Sequence, residues 1–103
     1  MNIDFRSEAI DSFKSVREVT EFIRILTDDS RMKSYEKCWV VSVEYEDDTS
    51  FPTMITCMIT FQCWKKNERG FGTKYTFTNY RAKSFSCQNC NIEKVNTDES
   101  VPS

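Results

Sequence analysis

The chain has 103 residues, 29% charged and 39% apolar, with eight Phe, four Tyr, two Trp, no His and a formal net charge of −2. That length suits one domain with a modest core and is too short for two. The aromatic content offers enough apolar surface to offset ordering entropy, which excludes wholesale disorder. Met1 to Ser12 carries Asp4, Arg6, Glu8 and Asp11, and no apolar run has the length of a signal peptide or a membrane span, so we expect a nuclear or cytoplasmic protein that is not secreted and has no membrane partner.

Charge is unevenly spread. Residues 1–50 hold seven basic and twelve acidic side chains, whereas residues 51–90 hold Lys65, Lys66, Arg69, Lys74, Arg81 and Lys83 against Glu68 alone. A half of net charge −5 precedes a stretch of +5, so orientation governs any approach to a polyanion. The last residues, 96–103, read as a flexible tail on a single domain spanning 1–95.

In chain order, the first clear element is a helix. Ser15-Val16-Arg17-Glu18 matches a capping box, in which the Ser15 hydroxyl accepts from the Glu18 amide and the Glu18 carboxylate reaches back to the Ser15 amide. Val16, Val19, Phe22, Ile23 and Leu26 recur at steps of three and four and define one apolar face. Asp28-Asp29-Ser30 ends the helix near Thr27, because short polar side chains compete for the backbone. The helix reads as a packing element.

From Cys38 the period becomes two. Trp39, Val41, Val43 and Tyr45 make an apolar face with Val40, Ser42 and Glu44 opposite, which is the pattern of a half-buried strand. After the acidic turn at 46–50, the run from Thr53 to Trp64 has Ile55, Cys57, Ile59, Phe61 and Cys63 on one face, and its length and purity predict the central strand. Tyr75 and Phe77 alternate with Thr76 and Thr78 in a third strand, and residues 91–95 supply a short fourth. The predicted fold is α+β: one N-terminal helix packed on a small antiparallel β-meander of three to four strands.

Five cysteines in a reducing compartment read as thiols or metal ligands rather than disulfides. Cys57 and Cys63 share a face but lie roughly 20 Å apart along an extended strand, too far for one tetrahedral ion. Cys57 therefore reads as a buried thiol. Cys63, at the strand end, can meet Cys87 and Cys90, whose C-x-x-C spacing is that of a zinc half-site, with Cys38 as fourth ligand. Plain small thiols remain the other reading of these positions. The turn at 65–74 holds both glycines of the chain, Gly70 and Gly72, with Phe71 between them and cations on either side. It reads either as a phosphate-contacting loop with stacking rings or as a solvated hairpin connection. No P-loop or dinucleotide fingerprint occurs. With no histidine to act as base and no recognisable carboxylate pair, catalysis is not expected.

The order Phe13-Lys14-Ser15-x-x-Glu18-Val19-x-x-Phe22-Ile23, a Val-rich strand, Ile59-Thr60-Phe61-Gln62-Cys63, Arg69-Gly70-Phe71-Gly72-Thr73-Lys74 and then Ser86-Cys87 resembles the N-terminal domain of transposase-derived zinc-finger proteins. These are the Mutator-like element transposases and SWIM-domain proteins, grouped with FLYWCH, WRKY and glial-cells-missing domains. The resemblance covers about residues 13–90 and implies zinc cysteines at Cys63 and Cys87. The family completes its site with a downstream His pair that this chain lacks, and Asn89-Cys90 stand where the family often has Pro-Ala, so the chain resembles a degenerate or truncated member. Two functions follow as expectations. One is a DNA-binding module in which Lys65, Lys66, Arg69, Lys74, Arg81 and Lys83 meet phosphates while Trp64, Phe71 and Tyr75 line the contact. The other is a metal-free interaction domain that binds a protein or itself through a strand edge or a Trp39, Trp64 and Tyr80 surface.

Overall fold

The computed structural model describes residues 1–47, 55–80 and 90–95. Its elements are β1 (Asn2–Phe5), α1 (Ser7–Ser12), α2 (Val16–Asp28), a 3₁₀ turn (Met32–Ser34), β2 (Lys37–Asp47), β3 (Ile55–Trp64), β4 (Thr73–Asn79) and β5 (Cys90–Lys94). The five strands form one sheet in sequence order, with β3 central as expected. Strands β2 to β5 make the antiparallel meander.

Two elements go beyond the expected fold of one helix and three to four strands. β1 pairs in parallel with β2, Asn2 opposite Lys37 and Phe5 opposite Val40, so the sheet is mixed. A parallel neighbour requires a crossover of a dozen or more residues, and α1, α2 and the 3₁₀ turn supply it. α1 is short but buries Ala9 against β2.

α2 starts at the expected Ser15 cap, whose hydroxyl accepts from the Glu18 amide at 3.3 Å. The reciprocal half of the box is displaced by one residue: the Glu18 carboxylate accepts from the Lys14 amide at 3.1 Å and also from the Tyr45 hydroxyl. The buried face runs through Glu18, Phe22 and Leu26, with Ile25 packed against the core. Val16, assigned to that face from spacing, is 81% exposed instead, while Glu18 of the same turn is the residue turned inward. Phe22 is the hub of the core, its ring centroid 5.3 Å from that of Phe77, 5.9 Å from Phe61, 6.1 Å from Phe13 and 6.4 Å from Phe5.

In β2 the expected faces are corrected by a bulge. Val40 pairs with Phe61 but Ser42 pairs with Thr60, leaving Val41 as an extra residue. An inserted residue flips the alternation beyond it. The helix side of the sheet therefore receives Cys38 and Val40 before the bulge and Val43 after it, while Trp39 goes to the opposite, uncovered face and is 37% exposed. β3 behaves as its pattern demands: Cys57, Ile59, Phe61 and Cys63 are all buried, and Phe61 meets Phe22 of α2.

Candidate nucleic-acid interface

The β3–β4 connection projects from one end of the sheet. Its shape depends on left-handed backbone at Asn67, Gly70 and Gly72, with φ of 66°, 86° and 66°. The Gly72 requirement is also steric, because a Cβ there would lie 2.4 Å from the Cys63 carbonyl oxygen and 2.9 Å from the Trp64 ring. The Trp64 indole N–H donates to the Gly70 carbonyl at 2.9 Å, and the Glu68 carboxylate accepts from the Lys65 amide at 2.8 Å. The one acid of the stretch thus serves the turn itself.

This constructed turn leaves Lys65, Lys66 and Arg69 exposed, with Phe71 86% exposed at its tip. Lys74, the second residue of β4, lies opposite Gln62, which is itself opposite Trp39 on the uncovered face. Lys37 pairs with Trp64 across β2 and β3, its ammonium 5.0 Å from the indole centroid, and the Lys65 ammonium lies 5.9 Å from the Tyr35 ring. The end of the sheet at this turn accordingly carries Lys37, Lys65, Lys66, Arg69 and Lys74, with Lys37 over Trp64 and Lys65 toward Tyr35. Across the same face, the far end of β2 carries Glu44 and Glu46, both exposed.

Spacing did not reveal Lys37 as a member of this end, since that residue belongs to a strand distant in sequence, and it joined Trp39 to Trp64 only in the protein-binding expectation. A β-bulge is what turns Trp39 outward. Tyr75 is corrected: it is only 6% exposed, its ring stacks on Phe61 with centroids 5.7 Å apart, and its hydroxyl lies 2.9 Å from that of Tyr35. Burial and that bond push the Tyr75 phenol up. It is a core residue and cannot line a contact surface. Tyr80 is exposed but follows the end of β4 that pairs with Cys57, so it does not share a surface with Trp39 and Trp64. Arg81 and Lys83 lie outside the described residues.

The cysteines divide. Cys38 and Cys63 face each other across β2 and β3 with Sγ atoms 2.8 Å apart. The hydrogen bond between them holds the Cys38 thiol below the usual thiol range against the opposing effect of burial, and pushes Cys63 far above it; in this pair Cys63 retains its proton. Cys57 lies in the core, where burial outweighs the lowering effect of its hydrogen bond with Tyr45 and pushes it up to about 11. Cys90 pairs with Asn79, which pairs with Cys57. Six positions of β3, roughly 20 Å, therefore separate its row from that of Cys63. It is also disulfide-bonded. The expected four-cysteine zinc site is not assembled: Cys38 and Cys63 meet, Cys90 stands at the other end of the sheet, and Cys87 lies outside the described residues. Among the described residues no three His, Cys, Asp or Glu side chains could together hold a metal ion.

Another polar cluster lies on the opposite end of the helix-covered face. The Tyr45 hydroxyl donates to Glu18 and accepts from the Lys14 amide at 3.3 Å, with the Lys14 ammonium 4.8 Å from the ring. Burial, followed by the Glu18 bond, drives the Tyr45 phenol well above its ordinary value. These bonds tie the start of α2 to β2 and close the capping arrangement.

Searches against protein families, curated proteins and solved structures find no match to this chain. Its class is given by the fold alone: a small α+β domain with helices on one face of a five-stranded mixed sheet. No helix among the described residues is long and apolar enough to cross a membrane.

Proposed function

We propose that the protein is a non-enzymatic nucleic-acid-binding module that contacts DNA through the basic end of its sheet. Lys65, Lys66, Arg69 and Lys74, joined by Lys37, meet phosphates, while Phe71, Trp39 and Trp64 offer ring faces to bases or sugars. The observation that carries this is the presence, at one end of the sheet, of five cations from β2, the turn and β4, with Lys37 over Trp64 and Trp39 exposed on the same uncovered face, and with the lone acid of the turn tied to its own backbone. The reading uses no metal. The acidic far end of the face sets polarity, repelling a polyanion from that side.

Binding of mixed-sequence DNA, single-stranded and duplex, is measured by fluorescence anisotropy over a range of salt. Affinity should fall with a log–log slope of about −3 to −4.5 across single-stranded and duplex DNA if four or five phosphates are neutralised, and replacing Lys65, Lys66 and Arg69 together by Ala should flatten the slope by about 2 to 3. Binding that ignores salt, or that survives the triple substitution unchanged, overturns the proposal. The protein-interaction alternative through a strand edge has little geometric support, because the edge strands β1 and β5 are only four and five residues long.

A further inference from the structure

The Cys38–Cys63 pair has no part in the nucleic-acid reading and stands on separate observations. The two residues are direct partners on antiparallel strands, a placement that sets Cα atoms about 4.5 to 5.5 Å apart, inside the roughly 4.4 to 6.8 Å that a disulfide bridges. Both are free thiols, both are buried, and their sulfurs are already 2.8 Å apart.

Both sulfurs lie on the helix-covered side of the sheet with almost no exposed surface, 1% at Cys38 and 0% at Cys63. The thioether of Met1 lies 3.2 Å from the Cys38 sulfur.

We propose that Cys38 and Cys63 form a peroxide-oxidisable dithiol, closed in the folded protein to a cross-strand disulfide. The Cys38 thiolate attacks one peroxide oxygen, the O–O bond breaks, and the departing hydroxide takes up the proton that the thiol had released, leaving water and a sulfenic acid on Cys38. Cys63 then gives up its proton and its sulfur attacks the Cys38 sulfur. The S–O bond breaks, and hydroxide leaves with that proton as a second water. Two thiols are oxidised and one peroxide is reduced to two waters. A thiol reductant reverses the product by exchange.

The full chain is reduced, freed of reductant, exposed to stoichiometric hydrogen peroxide under native conditions, alkylated in denaturant and mapped by peptide mass spectrometry. The expected result is a Cys38–Cys63 linked peptide, a several-fold drop in alkylation at both positions, and recovery with dithiothreitol. In concentrated urea the same treatment should yield this linkage only at the level of other cysteine pairs. In Cys63→Ser, the Cys38 sulfenic acid should persist and be trapped by dimedone. Full alkylation of both thiols after native treatment overturns the proposal, as does conversion of Cys38 to a sulfinic acid beside an intact Cys63, or an equal linkage yield in urea. Should Cys63→Ser not fold, the map of the unsubstituted chain decides the question.

Discussion

Replacing Phe22 by Ala removes a side chain of α2 that touches Phe5 of β1, Phe61 of β3 and Phe77 of β4 as well as Phe13. Phe22 is fully buried and contacts four other phenylalanines, at ring-centroid distances from 5.3 to 6.4 Å. A buried Phe→Ala change costs about 3 to 5 kcal/mol through lost transfer energy plus the cavity left behind. Edge-to-face pairs each contribute about 0.5 to 1.5 kcal/mol beyond area burial. Phe22 makes edge-to-face contacts with Phe5, Phe61 and Phe77, which places the loss near the top of that range, at about 4 to 5 kcal/mol. A domain of this size has a total stability of about 5 to 15 kcal/mol, so the variant should be marginal or unfolded at room temperature. With a urea slope of about 1 to 2 kcal/mol per molar, the midpoint should fall by about 2 to 5 M, followed by circular dichroism. Phe71→Ala, at the exposed tip of the turn, is the matched control and should shift stability by no more than about 0.5 kcal/mol. A loss at Phe22 below about 2 kcal/mol with an unchanged slope would refute the placement of α2 on the sheet, since no other packing explains burial of that ring.

Two further outcomes follow from the turn and the helix end. Gly72→Ala should cost about 2 to 4 kcal/mol, combining about 1 to 2 kcal/mol for a left-handed alanine with the clash against the Cys63 carbonyl. Gly70→Ala, where nothing lies within 4 Å, should cost only the conformational part, and equal losses in urea titrations would contradict the close approach at Gly72. Burial raises the Asp29 pKa, but hydrogen bonds from the Arg31 side chain and backbone outweigh it and hold the carboxyl below its ordinary value. A depressed folded pKa contributes stability above the unfolded value of about 3.9, and that contribution disappears as pH falls through the folded pKa. Asp29→Asn should therefore destabilise the protein at neutral pH and lose that effect progressively as pH falls below about 3.9, and a pH-independent difference in thermal midpoints would contradict this.

Local signals in the sequence account for much of the architecture. The Ser15 cap, the helix through Leu26, the unbroken apolar face of β3 and the Tyr75–Phe77 alternation all rest on contacts within a few residues, where propensity and period act directly. The positive stretch at 65–74 was legible for the same reason, because its cations are neighbours in the chain. Everything that depended on pairing between distant residues was decided by the tertiary structure. β1 has only four residues and becomes a strand because β2 offers it a parallel partner. The bulge at Val41 inverts the faces of Cys38 to Val40, turning Trp39 toward the basic end and Cys38 onto Cys63, and no period-two count can detect an inserted residue whose side chain is as apolar as its neighbours. Tyr75 carries the same composition signal as a stacking ring, but the strand register sends it inward onto Phe61. The C-x-x-C spacing suggested that Cys90 would join Cys63, and the register of β3, β4 and β5 sets them at opposite ends of the sheet. Sequence determines which segments become helix or strand and which carry charge; register determines which side chains meet, because one residue of shift moves a side chain to the other face and a few rows of shift carry it beyond the reach of any bond.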